Sequence, residues 1–173
     1  MSYPIKTRSI SLDHRGGTKS YHLMIIEAAN GNAVFISRWG KTGQFGEMKV
    51  EEYDSPAKAM KAWEKKEREK TRNGYGQAGP AREGRADTSD EFPKAVSLSI
   101  FNKMGASAVK HLDPGFDTAG MREADPAQYD EETGRKIDTA RKADISEALA
   151  AEKAASEKAA AEAYADNPIF GRF

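Results

Sequence analysis

Arg38-Trp39-Gly40-Lys41 places two cations around one tryptophan. Cations in that position pair with phosphate oxygens, and an indole face stacks on a base or sugar, a contact worth about 1–3 kcal/mol per stacked base. A tryptophan at a strand end is more often a core residue than a stacking platform, so the same four residues also read as a corner of a core. Gly40-Lys41-Thr42 matches the end of a phosphate-binding loop, but that loop needs a glycine five positions earlier, where Phe35 stands. The three histidines, His14, His22 and His111, have no spacing partner for a metal. There is no nucleophile with a base at a useful spacing, and no paired carboxylates in an apolar setting. The reading is therefore a non-enzyme, with no catalytic residue, no metal and no cofactor.

Charge separates the chain into two parts. Lys+Arg and Asp+Glu are both 27, a net charge of zero. Residues 1–77 hold 14 basic against 9 acidic residues, and residues 78–173 hold 13 against 18. A basic first part bears on an anionic partner, and an acidic second part suggests another task or a shield for the first. Cysteine is absent, which excludes disulfides and cysteine metal sites and is compatible with a reducing compartment. No apolar run suits a signal peptide or the ~20 residues that cross a bilayer. The expected location is the cytoplasm.

The elements that must carry these residues come first in the chain. Residues 6–12 alternate as a short strand. Residues 20–28 form a central strand, with Tyr21, Leu23 and Ile25 on one side and His22, Met24 and Ile26 on the other. Asn30-Gly31 is a two-residue hairpin signal leading to a return strand at 33–39. A glycine turn at 40–46 leads to a strand at 47–53. Ser55 and Pro56 start a helix to about Arg72, with Ala59, Met60 and Trp63 as its buried stripe and Asn73-Gly74 as its stop. Residues 76–93 are rich in Gly, Pro, Ala and charge and read as a linker. Residues 94–128 read as an extended arm, and 131–165 as one long helix with eleven alanines between 143 and 165. The tail after Asn167 breaks that helix and carries two phenylalanines.

The stretch Lys19 to Tyr75 resembles the WGR domain, best known from DNA-dependent poly(ADP-ribose) polymerases and present in bacterial and phage proteins. The features that carry the likeness occur in order. Thr18-Lys19-Ser20-Tyr21 matches the family's strand entry. Arg38-Trp39-Gly40-Lys41-Thr42-Gly43 matches its signature, with Gly46 as the second turn glycine. Ala59 and Trp63 match the helix pattern, and Lys70-Thr71-Arg72-Asn73-Gly74-Tyr75 matches the closing motif. Two positions depart from the pattern. Lys41 replaces the signature arginine, exchanging a bidentate fork for a point charge. Glu67 stands where the family has an aromatic residue, which implies a thinner core under the last helical turn.

The likeness implies an α+β fold: a twisted antiparallel sheet with one packed helix over residues 1–77. An extended arm at 78–130, a long alanine-rich helix at 131–165 and an aromatic tail at 166–173 would follow. It also implies a binding module that grips the DNA backbone, at a break or junction, without sequence preference. Arg38, Trp39, Lys41, Lys19, Lys70 and Arg72 are the expected contacts, with Trp39 and Lys41 on one face. The alternative is a structural or adaptor protein, a virion component if phage-encoded, that assembles with itself or another protein. Ile137, Ile145, Leu149, Phe170 and Phe173 would then dock on the partner. No membrane partner is expected.

Overall fold

A run of antiparallel strands follows from the alternating N-terminal sequence. The computed structural model of the chain describes residues 1–138 and 150–157, and the chain divides into two units, 1–133 and 134–173. In the first unit, β1 (Ile5–His14), β2 (Lys19–Ala28), β3 (Ala33–Lys41) and β4 (Glu47–Tyr53) form a meander. Helix α1 (Pro56–Arg72) follows, then β5 (Tyr75–Gln77) and β6 (Arg82–Ala86). The sheet order is β4-β3-β2-β1-β5, and β6 also pairs with β1. β5 lies along Leu12–His14 and β6 along Ile5–Ser9, so two short strands share one edge.

The period of two along each strand makes two apolar faces. Ile10, Leu12, Tyr21, Leu23, Ile25 and Phe35 lie on one face, where Ala59 and Trp63 of α1 cover them. Ile5, Ile26, Ala28, Val34 and Ile36 belong to a second core. Three short helices complete it: α2 (Phe92–Val96), α3 (Leu98–Phe101) and α4 (Ala106–Leu112). Their Phe92, Val96, Val109 and Leu112 side chains, with Met104 from the connection between α3 and α4, are at most 1% exposed. Helices thus cover the sheet on both sides.

This second core replaces the expected linker and arm. β6 reads Arg-Glu-Gly-Arg-Ala, with no alternation to betray a strand. It forms because the edge of β1 offers unpaired backbone groups. Gly84 permits the close approach, since a Cβ there would come within 2.6 Å of Thr7 Oγ1 and 2.9 Å of the Ala95 carbonyl oxygen. Thr7 Oγ1 donates to that same carbonyl at 3.1 Å, tying β1 to α2.

Smaller expectations also shift. The β2–β3 connection spans residues 29–32, and of Asn30 and Gly31 only the glycine has a positive φ. The asparagines serve another purpose: Asn30 Nδ2 donates to the Leu112 carbonyl at 3.0 Å, and Asn32 Nδ2 to the His111 carbonyl at 2.7 Å. Ser55 stands at the helix cap, but its side chain makes no capping bond; its carbonyl accepts from Lys58 and Ala59 instead. Gly74, with φ +89°, supplies the left-handed residue after α1.

Residues 131–138 are turn and irregular backbone, so the expected long helix does not begin at 131. Asp130 dictates the turn by accepting from the Glu132 and Thr133 amides and the Thr133 hydroxyl. In the second unit, residues 150–157 are helical and exposed. The rest of the expected alanine-rich helix and the aromatic tail lie outside the described residues. Among the described residues no helix is long and apolar enough to cross a membrane.

Candidate nucleic-acid interface

The Arg38–Gly46 segment is shaped by close backbone approach. Gly46 has φ +72°, and a Cβ on it would fall 2.1 Å from the Trp39 carbonyl oxygen. A Cβ on Gly40 would come within 2.9 Å of the Gly46 Cα. The turn therefore needs glycine at both points. Thr42 locks the turn onto the β1–β2 loop, its amide donating to the Thr18 carbonyl and its hydroxyl to the Gly17 carbonyl. No helix follows Gly40-Lys41-Thr42, which ends β3 and enters a turn, unlike a nucleotide-binding loop.

The signature residues divide between the two faces. Trp39 pairs with Tyr21 and Lys41 with Lys19 across the β2–β3 ladder, so both lie on the α1 face by alternation. Arg38 belongs to the other face. Its Nη1 donates to the Phe45 carbonyl at 2.7 Å, and its guanidinium lies 4.7 Å from the Phe45 ring centroid. Lys103 Nζ is 3.9 Å from the centroid of the same ring. Burial lowers the Arg38 pKa, yet a guanidinium stays charged. Arg38 thus anchors the turn and is not grouped with Trp39.

On the α1 face an aromatic row runs from the signature to the end of β1. Trp39 stacks on Tyr21 at 6.1 Å and 12°; Tyr21 meets Tyr75 edge-on at 6.2 Å, and Tyr75 meets His14 edge-on at 5.0 Å. A cleft of about 960 Å³ opens at the Tyr75–His14 end of this row, between the β1–β2 loop and the C-terminal turns of α1. Exposed Lys19, Lys65, Arg68 and Arg72 line it. Lys65, Arg68 and Arg72 meet there because spacings of three and four residues share a helical face. Lys41, also exposed, borders the cleft through its ladder pairing with Lys19.

The cleft also contains acid. Glu131 pairs with Lys66 at 3.1 Å and with Lys70 through the same oxygen. Glu69 pairs with Lys66 at 3.2 Å and with Lys70 at 3.3 Å. Lys70 is only 3% exposed and lies 4.7 Å from the Tyr21 ring centroid. It is therefore a buried ion-pair residue, not the free phosphate contact expected from its place in the closing motif. Glu67, the departure from the family pattern, accepts from the Trp63 indole N–H at 2.9 Å. The thinner core beneath the last turns of α1 is filled by this bond and by the lysine–glutamate cluster.

Burial pushes the Glu131 carboxyl up, but hydrogen bonds and charge from Lys70 and Lys66 outweigh it and hold the pKa below the ordinary value. Burial likewise lowers Lys66, and its bonds to Glu131 and Glu69 reverse that to a net rise. Both groups are thus charged across the neutral range. A depressed carboxylate pKa contributes stability above the ordinary glutamate value, about 4.3, and that stability is lost as pH falls through the lower folded value. The melting-temperature gap between the native chain and Glu131→Gln is therefore expected to be full at pH 6 and to shrink steadily below pH 4. A gap unchanged down to pH 3 would mean the pair contributes nothing.

Of the six expected contacts, Lys19, Lys70 and Arg72 line the cleft, Lys41 borders it, Trp39 stands at the far end of the aromatic row outside the lining, and Arg38 lies elsewhere. Lys65, Arg68, Tyr75 and Glu131 were not among them. Ile137 is half-buried, and Ile145, Leu149, Phe170 and Phe173 lie outside the described residues. His14 ends β1 and His111 belongs to α4.

The WGR domain family model matches residues 10–82. Residues 10–82 of this chain are a WGR domain. The WGR match begins within β1 and ends at the first residue of β6, wider at both ends than the motif-bearing stretch. The WGR domain is a binding module, not a catalytic one, and binds nucleic acid in the poly(ADP-ribose) polymerases. No curated protein and no solved structure matches the chain.

Proposed function

We propose that this WGR-domain protein is a non-catalytic DNA-binding protein that grips the sugar-phosphate backbone, at breaks or junctions, without sequence preference. The observation that carries this reading is the cleft: Lys19, Lys65, Arg68 and Arg72 stand exposed along a row of aromatic rings. Cations at that rim neutralise phosphates, while Tyr75 and Trp39, both half-exposed, offer ring surface to a sugar or base. The exposed cations of the rim match phosphate at any sequence.

The test is a titration of the full chain into nicked and intact duplexes of unrelated sequence, repeated over a range of salt. Four rim cations predict a slope of log K against log salt of about −4, the same for each sequence. Absence of binding to either duplex at low salt overturns the reading.

A further inference from the structure

Glu131 reaches the cleft from outside the WGR match, at the end of a surface strap. No residue between 114 and 133 is fully buried. Among the described residues, hydrogen bonds tie the strap to the sheet and to α4. The Ala106 amide donates to the Arg122 carbonyl, the Ser107 amide to Glu123, and the Gln128 amide to Glu47 at 2.8 Å. Asp130 then shapes the turn that presents Glu131 to Lys66 and Lys70. A segment with so little buried surface opens at low cost.

The place it fills has the character of an anion subsite. Lys66 and Lys70 carry two positive charges against one from Glu69, which leaves room for one negative charge. Beside them, Tyr21 Oη and Ser37 Oγ are buried without a hydrogen bond of full geometry among the described residues. Ser37 and Tyr21 are each 1% exposed. Ser37 and Glu131 both lie close to the Tyr21 hydroxyl. The Glu131 carboxylate spends its two oxygens on Lys66 and Lys70. A phosphodiester has the same single charge, more acceptor oxygens and a larger radius.

We propose that Glu131 is a built-in stand-in for a backbone phosphate, seated in the Lys66–Lys70 subsite, and that DNA binding in the adjoining cleft displaces it together with the strap 122–133. The inference rests on the proposed DNA-binding function and adds its regulation. The closed strap silences two of the cleft's cations. Opening it extends the rim of Lys19, Lys65, Arg68 and Arg72 inward to Lys66 and Lys70, beside the aromatic row. The acidic residues that follow the WGR match thereby compete with the ligand, setting a threshold that only a multiply charged backbone overcomes.

The test uses the full chain and a nicked duplex. Glu131→Gln is expected to bind roughly tenfold tighter near 100 mM salt, because no carboxylate then has to be displaced. Glu132→Gln lines the same cleft and changes net charge equally, but it is expected to have little effect. Lys66→Gln added to Glu131→Gln should remove most of the gain. Equal effects of the two glutamate variants would reduce the result to net charge and overturn the proposal. So would unchanged or weaker binding by a folded Glu131→Gln protein. Hydrogen exchange on the native chain decides the matter even if that variant melts: peptides from 122–133 should exchange faster with DNA bound, and unchanged exchange overturns the displacement. Inorganic phosphate in place of DNA should leave the strap protected; phosphate alone opening it would overturn the polynucleotide assignment. Binding by the native chain with no response to Glu131 defeats this proposal and spares the DNA-binding function, whereas no binding by any variant at low salt defeats both.

Discussion

Cutting the chain after Gln77 is expected to give an aggregating, dye-binding fragment and not a minimal DNA-binding domain. The cut keeps every WGR landmark from Thr18 to Tyr75 but removes β6 and helices α2 to α4. Ile26, Val34 and Ile36, each at most 2% exposed in the intact chain, would then face water across the sheet. The loss includes Phe92, Val96, Met104, Val109 and Leu112, and at about 1.5–3 kcal/mol each their burial contributes on the order of 10 kcal/mol. A whole domain is stable by roughly 5–15 kcal/mol, so the remainder has little to hold it. β1 also loses its β6 partner along Ile5–Ser9 and exposes a long strand edge, a template for pairing with other copies. Size-exclusion and dye-binding measurements read the outcome. A soluble, monomeric, cooperatively melting fragment would show that the second core is dispensable. Leu112→Ala is the point version, expected to cost about 2–5 kcal/mol in the full chain.

The opposite signature is expected for the cleft rim. Replacing Lys65, Arg68 and Arg72 together by glutamine should leave the melting temperature nearly unchanged, since exposed substitutions shift stability by about 0.5 kcal/mol or less. DNA affinity should fall by roughly a thousandfold near 50 mM salt, because three phosphate contacts account for about 2.7 of the slope in log K against log salt. The slope itself should drop from about −4 to about −1. Lys58→Gln is a suitable control, because its ion pair with Asp54 at 2.7 Å holds it at the start of α1, outside the cleft. Binding that survives the triple change would move the interface to another surface and refute the cleft as the site.

The two variants together separate architecture from recognition. The truncation removes a core while keeping the signature, and the triple change removes charge while keeping the core. Glu131 stands at the junction of both, because its carboxylate stabilises the end of α1 and also occupies the adjoining anion subsite.

The strands β1 to β4 and helix α1 were legible in the sequence because their signals are local. Alternation over 20–28 places Tyr21, Leu23 and Ile25 on one face at a glance, and Pro56 and Gly74 bracket a helix whatever lies around it. The WGR landmarks are local too, since turn glycines such as Gly40 and Gly46 answer to backbone geometry within the segment. The apolar second face of β2 also showed that something must cover it. What covers it was decided only in three dimensions. β6 has no strand pattern and exists through its pairing with β1, and α2 to α4 are too short for a helical period to stand out among glycines and prolines. The same limit applied at the site. Lys70 and Arg72 are two residues apart in one motif, yet the chain buries the first against Glu131 and leaves the second exposed. That choice depends on an ion pair spanning sixty-one positions, and Coulomb attraction acts through distance in space, which separation along the chain does not measure.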